Sequence, residues 1–169
     1  MGTIRRETPG DLPAIHHIHT VAFGRPNEAD LVDALRRNNA LTISLIAVQK
    51  GHVVGHIALS PVTITSSTTT IEALGLGPMA VLSAYQRRGI GSQLVEAGLT
   101  ACHHTSYGVV VVLGHPYYYL RFGFIPAKPW GIVWEHDAPE EAFMVKEIRD
   151  GALAQTRGVV QYRPEFDGV

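Results

Sequence analysis

The feature that most constrains the fold is a glycine-containing hexapeptide, Gln-Arg-Arg-Gly-Ile-Gly at residues 86–91. An apolar, strand-like run ends before it at Val81, and a helix-like run begins within it near Ile90. Glycine lets the backbone approach a ligand closely, and the first amides of a helix have no intrahelical acceptors. The helix macrodipole and the side chains of Arg87 and Arg88 add positive charge at the same point. The sequence therefore predicts a strand, a phosphate-binding loop and a helix in succession.

A helix and a buried strand are predicted directly after this loop. Ile90, Leu94 and Ala97 recur at helical spacing, and the pattern continues to about Thr105. Val109 to Leu113 is then an uninterrupted apolar run, as expected for a strand covered on both faces. This order favours a right-handed crossover between parallel strands, although other pairings are compatible with the pattern.

The other predicted strands are rich in β-branched and aliphatic residues. They cover Thr3–Arg6, Leu41–Val48, Val53–Val62, Glu72–Val81 and Phe143–Ile148. Residues 49–52 read as a hairpin turn, and the Ser/Thr run at 65–70 is predicted to turn between long antiparallel strands. Val159-Val160 is either an edge strand or a dimer contact.

Three further helices are predicted, beginning at Gly10-Asp11, Pro26-Asn27 and Pro116. The pair Asn27 and Asp30 resembles a helix-capping pair. The order of helices and strands indicates a mixed α/β domain.

The bulk composition limits the class of protein. The 169 residues fit one domain, and a formal net charge of −1 gives no excess of positive charge that would attract nucleic acid. We find no secretory pattern and no apolar run long enough to span a bilayer, so we predict no membrane association and a cytoplasmic location. Cys102 is the single cysteine, which excludes an intramolecular disulfide and a multi-cysteine zinc site.

The histidines do not predict a metal site. His16 and His19 lie three residues apart on one predicted helical face, but local spacing identifies no third ligand. Cys102, His103 and His104 are adjacent and face different directions on a helix, which disfavours a nucleophilic role for the cysteine. We therefore predict no metal.

Three segments together carry a family resemblance. They are Leu76–Val81, Tyr85–Ser92, and Leu113–Pro116 followed by Tyr118–Phe124. In this order and spacing they resemble the GNAT superfamily of acetyl-CoA-dependent N-acetyltransferases, and they are most similar to its small bacterial predicted-acetyltransferase branch. The resemblance covers about residues 3–148 of a single domain over residues 1–169, which leaves 149–169 as a C-terminal extension.

The resemblance implies a fold, a cosubstrate and a set of binding residues. The fold is the GNAT-like acyl-CoA N-acyltransferase fold, with a central mixed, mostly antiparallel sheet flanked by helices. Acetyl-CoA is the implied cosubstrate, with its pantetheine arm along a strand and its pyrophosphate on backbone amides. The implied strand residues are Met79, Ala80 and Val81, and the implied loop residues are Gln86, Arg87, Arg88, Gly89, Ile90, Gly91 and Ser92. Ser83 departs from the proline that many relatives have before this loop.

The resemblance also implies that Tyr119, four residues before a glycine, acts as general acid near the thioester. The alternative is that Tyr119 only packs beside Phe122, since three consecutive tyrosines cannot all point into one site. The sequence does not identify the general base, for which Glu28, His56 and Glu72 are the candidates. Each has a structural or solvated alternative, and a hydrogen-bonded core histidine is the simpler interpretation of His56.

The predicted function is direct transfer of an acetyl group from acetyl-CoA to a primary amine. The alternatives are a catalytically weak GNAT-fold module that binds CoA for regulation or partner binding, and a nucleotide binder that uses the glycine loop. The second alternative lacks the Gly-x-Gly-x-x-Gly and Gly-Lys-Ser/Thr patterns.

The acceptor is predicted only as a small-molecule amine or a protein amine. The loops around Phe23–Glu28 and Pro126–Asp137 are expected to select it, as binding residues are often on loops. Trp130 and Trp134 either wall this pocket or pack the later loop down. The oligomeric state is predicted only as monomer or homodimer.

Overall fold

The chain contains both helices and strands. The computed structural model describes residues 2–169. The α-helices are α1 (Leu12–Phe23), α2 (Asn27–Arg37), α3 (Ile90–Cys102) and α4 (Pro116–Tyr119). The strands are β1 (Gly2–Arg6), β2 (Ile43–Gln49), β3 (His52–Thr65), β4 (Thr70–Val81), β5 (Val109–Leu113), β6 (Ile125–Pro126), β7 (Ile132–Trp134), β8 (Phe143–Glu147) and β9 (Gly158–Gln161). They form two compact units, one of residues up to 60 with 77–101 and 164–169, the other of residues 61–76 and 102–163.

In the first unit, helices cover both faces of a sheet. β1 pairs antiparallel with β2, and β2 pairs antiparallel with β3. The buried side chains of Ile15, Val32 and Ile46 pack α1 and α2 against one face of β2. On the opposite face, a Cβ added at Gly55 of β3 would lie 3.1 Å from Leu94, so α3 lies close to the strand backbone.

The second unit is built on parallel and antiparallel pairs. β4 pairs parallel with β5, with Leu74 opposite Val110 and Leu76 opposite Val112. β8 is antiparallel to β5, and β6 is antiparallel to β8. β9 is antiparallel to β3 and parallel to β7. The buried core of this unit includes Val62, Ile64, Val111, Ala127, Ile132, Phe143 and Val145.

These pairings confirm the predicted fold class, a mixed and mostly antiparallel sheet flanked by helices. The parallel pairing of β4 with β5 confirms a crossover between parallel strands, and its right-handedness stays a prediction. The turn between β2 and β3 places Lys50 and Gly51 at positive φ angles of 49° and 80°. The Ser/Thr run forms the second turn, where the Ser66 amide donates to the Thr69 carbonyl at 2.8 Å.

Two predictions about helix ends are wrong. Helix α3 ends at Cys102 rather than near Thr105, because the amide and the hydroxyl of Thr105 both donate to the Cys102 carbonyl, at 3.0 and 2.7 Å. Asn27 does not cap α2, since Pro26 occupies the cap position and Asn27 lies within the first turn. The Asn27 side chain instead donates to the Gly168 carbonyl at 3.4 Å.

The edge-strand interpretation of Val159-Val160 is also wrong. These residues belong to β9, which has a hydrogen-bonded neighbour on each side. The loop predicted around Pro126–Asp137 contains a short strand, β7, which is one of those neighbours. Pairing between segments far apart in sequence determines this arrangement.

No helix within residues 2–169 is both long enough and apolar enough to cross a membrane. The cytoplasmic location stays a prediction.

Candidate active site

The glycine loop joins β4 to α3 through backbone conformations that favour glycine. Arg87 has a φ of 63° and Gly89 a φ of 82°, both in the left-handed region. A Cβ at Gly89 would meet nothing within 4 Å, so the conformation rather than crowding requires glycine there. Helix α3 begins at Ile90, and the Gln93 amide donates to the Gly89 carbonyl at 3.0 Å.

Positive electrostatic potential concentrates at this helix end. The amides of Ile90 and Gly91, in the first turn, have no intrahelical acceptors. Arg87 and Arg88 are exposed immediately before them. The Arg88 guanidinium lies 5.6 Å from the centre of the Tyr85 ring, which holds one cation beside the loop. Backbone amides at the start of the helix, the helix dipole and two arginines make this helix end suited to a phosphate group.

The end of β4 lies beside the loop. Ala80 is buried, while Met79 and Val81 are half-buried. The Gln86 side chain donates to the Val81 carbonyl at 2.9 Å, which fixes the start of the loop against the strand. A Cβ at Gly55 would lie 3.3 Å from the Ala80 carbonyl oxygen, so glycine permits close approach of β3 here. The end of β4 and the start of the glycine loop are therefore joined by a direct hydrogen bond.

Tyr119 is held in an aromatic cluster of the second unit. Its ring packs edge-on against Tyr118 and Phe124, at centroid distances of 5.0 and 5.6 Å. Phe122 lies 6.5 Å away, so the contact proposed as the structural alternative is present. Burial raises the pKa of Tyr119 to about 12, which keeps the phenol protonated at neutral pH. Tyr117, by contrast, is 79% exposed, so the consecutive tyrosines do point in different directions.

Two of the three candidate bases are carboxylates in very different surroundings. Glu28 is buried and accepts two hydrogen bonds from Arg25, at 2.6 and 3.0 Å. These bonds lower the pKa of Glu28, so it is an ionised carboxylate with a partner. Glu72 is exposed near the hairpin end of β4.

His56 is fully buried on β3 and belongs to a chain of hydrogen bonds. Its Nδ1 lies 2.8 Å from Nε2 of His19, and its Nε2 lies 2.8 Å from the hydroxyl of Ser44. The Ser44 hydroxyl donates to Glu7, whose carboxylate accepts two bonds from Arg36 at 2.7 and 2.8 Å. We call these five residues the histidine chain. Both ring nitrogens of His56 have partners, so direct contact with a substrate would require one of these bonds to break.

The histidine chain also bears on whether His16 and His19 could bind a metal ion together. His16 bonds Asp33 at 2.8 Å, whereas His19 bonds His56, so the two rings do not converge on one ion. The absence of a metal stays a prediction. Burial raises the pKa of the Cys102 thiol to about 12, which makes it a poor nucleophile.

The two tryptophans of the late loop differ. Trp134 stacks on Phe143 at 6.4 Å and packs against Tyr162, so it anchors the loop to the core. Trp130 is 43% exposed and lines a cavity of about 350 Å³ together with Lys146 and Glu147. Trp130 is therefore the tryptophan available to a ligand.

Comparisons with known proteins place this arrangement in a family. A family model described as "Acetyltransferase (GNAT) domain" matches residues 3–127. The uncharacterized N-acetyltransferase YhbS of Escherichia coli K12 is 36% identical over 165 residues, which cover 97% of this chain and 98% of the relative. The uncharacterized N-acetyltransferase YjhQ of the same strain is 34% identical over 137 residues, 76% of each chain.

Two solved structures agree with the sequence relatives. The 1.55 Å crystal structure of Escherichia coli YhbS in complex with CoA matches with a TM-score of 0.91 and 36% identity, covering 98% of this chain and 91% of that one. A GNAT family acetyltransferase from Brucella melitensis in complex with acetyl-CoA matches with a TM-score of 0.80 and 35% identity, covering 99% of each. The fold, the glycine loop and these relatives together identify the class of protein as an acetyltransferase. The chain belongs to the GNAT family of N-acetyltransferases.

Sequence reasoning missed most of the histidine chain. Glu7, Ser44 and Arg36 were not singled out, and His19 was considered only as a metal ligand. One signal was available, because His19 follows Ile15 by four residues and shares the buried face of α1. A second polar interruption, at His56 in an apolar strand, could have been paired with it.

Proposed function

We propose that this acetyltransferase transfers the acetyl group of acetyl-CoA directly to a primary amine. The observation that carries the proposal is the helix end at Ile90, with its left-handed loop residues Arg87 and Gly89 and its exposed arginines. Such an end binds phosphate, and two relatives with more than a third of their residues identical hold CoA or acetyl-CoA.

In this proposal the cosubstrate is bound mainly through backbone. The amides from Arg87 to Ser92 hold the pyrophosphate, and the side chain of Gln86 supports the loop. The end of β4, from Met79 to Val81, pairs with the pantetheine arm in the manner of an added strand. Because α3, the loop and β4 are held together, the site is largely formed before the ligand arrives.

Tyr119 is proposed to assist departure of the thiolate. Its pKa of about 12 lies roughly 3.5 units above that of a thiol at about 8.5, so complete proton transfer would be uphill by about 5 kcal/mol. The phenol therefore acts best as a hydrogen-bond donor to the developing negative charge, with the proton following late. The assistance is useful but not indispensable, since a thiolate is already a fair leaving group.

The acceptor amine must be neutral when it attacks. A lysine-like amine with a pKa of about 10.4 is the free base only about 0.04% of the time at pH 7, so a base that accepts a proton from the amine assists the reaction. Among the candidates, Glu28 and His56 already have partners, and Glu72 is exposed. Small-molecule amines and protein amines both remain within the proposal, as do a monomer and a homodimer.

The proposal is tested by thiol release from acetyl-CoA with a panel of amines. The panel contains free lysine, a polyamine, an aminoglycoside and a peptide with a free N-terminus. We expect release that depends on one class of amine, and thermal stabilisation by CoA. Stabilisation by CoA without release over the whole panel would instead support a binding or regulatory module, and stabilisation by ATP or NAD but not by CoA would support a nucleotide binder.

A further inference from the structure

The histidine chain contains one polar atom that no partner satisfies. The residues His19 and His56 are both fully buried, yet Nδ1 of His19 has no hydrogen-bond partner among residues 2–169. A buried polar nitrogen without a partner is costly, and a catalytic role is one explanation for such an atom. The other polar atoms of the histidine chain are hydrogen-bonded one to the next, so the atom without a partner lies at the His19 end.

The donor and the acceptor of each hydrogen bond in the histidine chain can be assigned by starting from Glu7. Glu7 accepts two bonds from the Arg36 guanidinium and is therefore a carboxylate, which can only accept. The Ser44 hydroxyl gives Glu7 its single proton, so its oxygen must accept from Nε2–H of His56. Neutral His56 then has a bare Nδ1, which accepts from Nε2–H of His19. The remaining nitrogen of neutral His19, Nδ1, therefore carries no proton and has a lone pair that can accept one.

The surroundings keep His19 neutral until a proton arrives. Burial lowers the pKa of His19 to about 4, and the charges of His16 and Arg36 act in the same direction. The carboxylates of Glu28 and Asp33 act in the opposite direction and would stabilise an imidazolium. His56 is also held neutral by burial, which lowers its pKa well below the ordinary value.

One face of the His19 ring is covered by an exposed aromatic ring. The Phe23 ring stacks on the His19 ring at a centroid distance of 6.0 Å and an angle of 11°, and Phe23 is 42% exposed. Phe23 is the last residue of α1 and precedes Gly24, which has a φ of 68°. The following residues up to Pro26 are exposed, so this end of the helix is open to solvent.

We propose that Nδ1 of His19 receives the N–H proton of the acceptor amine, and that successive proton transfers through His56 and Ser44 deliver a proton to Glu7. The inference rests on the proposed amine acetylation and adds the position of the acceptor nitrogen, past Phe23 and beside His19. The amine binds as the free base and donates one N–H to the bare lone pair.

The step balances without any additional reactant. The amine nitrogen forms a bond to the thioester carbonyl carbon, and its N–H proton moves to Nδ1 of His19. Nε2–H of His19 moves to Nδ1 of His56, Nε2–H of His56 moves to the Ser44 oxygen, and the Ser44 proton moves to Glu7. The carbon–sulfur bond then breaks, and the electron pair leaves on the CoA sulfur. No electrons are exchanged with an oxidant or reductant.

The relay avoids leaving a positive charge on a buried imidazole ring. An imidazolium would be unfavourable at either buried ring, whereas Glu7 and Arg36 have side chains 16% and 20% exposed. Each transfer follows a hydrogen bond that already exists, two of them 2.8 Å long. The proton therefore ends at a carboxyl group that is partly exposed to solvent.

The decisive variant is His19→Gln, tested with acetyl-CoA and the most reactive amine of the panel. A glutamine amide can occupy the position of Nε2 and still donate to His56, but it offers no basic nitrogen at the position of Nδ1. We expect kcat/KM for the amine to fall by about 10²- to 10⁴-fold, with unchanged CoA affinity and an unchanged circular dichroism spectrum. The exposed His17 of the same helix gives the matched control, His17→Gln, which should retain full activity.

A second pair of variants tests the relay. Ser44→Ala removes the hydroxyl between His56 and Glu7, and Ser44→Thr keeps one. We expect Ser44→Ala to lower kcat, mainly on the acidic side of the pH profile, and Ser44→Thr to restore the wild-type profile. Equal profiles for wild type and Ser44→Ala would overturn the relay.

Chemical rescue separates basicity from packing even if the glutamine variant folds poorly. We expect added imidazole to restore activity to His19→Gly, and pyrazole, which has a similar shape and a much weaker base, to restore far less. Equal rescue by both, or full activity of His19→Gln, would overturn the role of His19. A wild-type protein that binds CoA but acetylates no amine would instead refute the proposed function, and this inference with it.

Discussion

Acidification should destabilise the folded chain through His19. Burial lowers the pKa of His19 to about 4, whereas an unfolded chain restores it to about 6.5. Between these values the unfolded state binds more protons than the folded state. The stability contributed by neutral His19 is therefore complete above about pH 6.5 and is lost as the pH falls toward about 4.

The size of the loss follows from the two pKa values. For a group with a pKa of about 6.5 unfolded and about 4 folded, lowering the pH from about 7.5 to about 5 costs about 2 kcal/mol. The pKa of Asp11 and that of Glu28 are both lowered by hydrogen bonds from arginine, so these carboxylates stay ionised in this window. His56 contributes in the same direction, and its pKa is lowered mainly by burial, which a His19 variant keeps.

The assay is urea unfolding followed by circular dichroism, at the two pH values and constant ionic strength. Wild type and the control His17→Gln should lose about 2 kcal/mol more stability than His19→Gln over this interval. The comparison of slopes cancels any constant cost of the substitution. If all three proteins lose stability equally, His19 is not held neutral by burial, and the assigned proton pattern is wrong.

Three other perturbations test separate parts of the structure. Replacing Arg87 and Arg88 by glutamine should raise the CoA dissociation constant several-fold and flatten its salt dependence in titration calorimetry, whereas an unchanged constant would remove the arginines from the site. Tyr119→Phe should slow turnover by roughly 10- to 10³-fold with nearly unchanged CoA affinity, and an unchanged rate would leave Tyr119 a packing residue. Gly75→Ala would place a Cβ 2.8 Å from the Tyr162 ring and should cost about 1–3 kcal/mol in urea unfolding, an expectation that a neutral effect would contradict.

The sequence predicted those parts of the fold that depend on local patterns. The apolar run from Val109 to Leu113 is β5, and glycine and arginine before Ile90 do precede a helix. Backbone details were less accessible, because the left-handed conformation of Arg87 has no residue-type signal. The neighbours of β9 could not be predicted either, since strand pairing over many residues depends on tertiary packing.

The candidate site was predictable where a ligand contacts consecutive residues, and not where distant residues converge. The loop from Gln86 to Ser92 is one continuous segment, so its motif is readable. His19 and His56 are 37 residues apart and meet only because α1 packs on the face of β3 that carries His56. Each histidine was conspicuous alone, but the sequence contains no sign that one satisfies the other.

Acetyl transfer to an amine is the central claim, and mass spectrometry with isotopically labelled acetyl-CoA tests it most directly. The protein is incubated with labelled acetyl-CoA and the amine panel, and the products are compared with those of a reaction without protein. Direct transfer predicts one labelled acetyl group on the amine for each CoA released, and no label on the protein. CoA binding without labelled amine, or label retained on the protein as an intermediate, would contradict direct transfer.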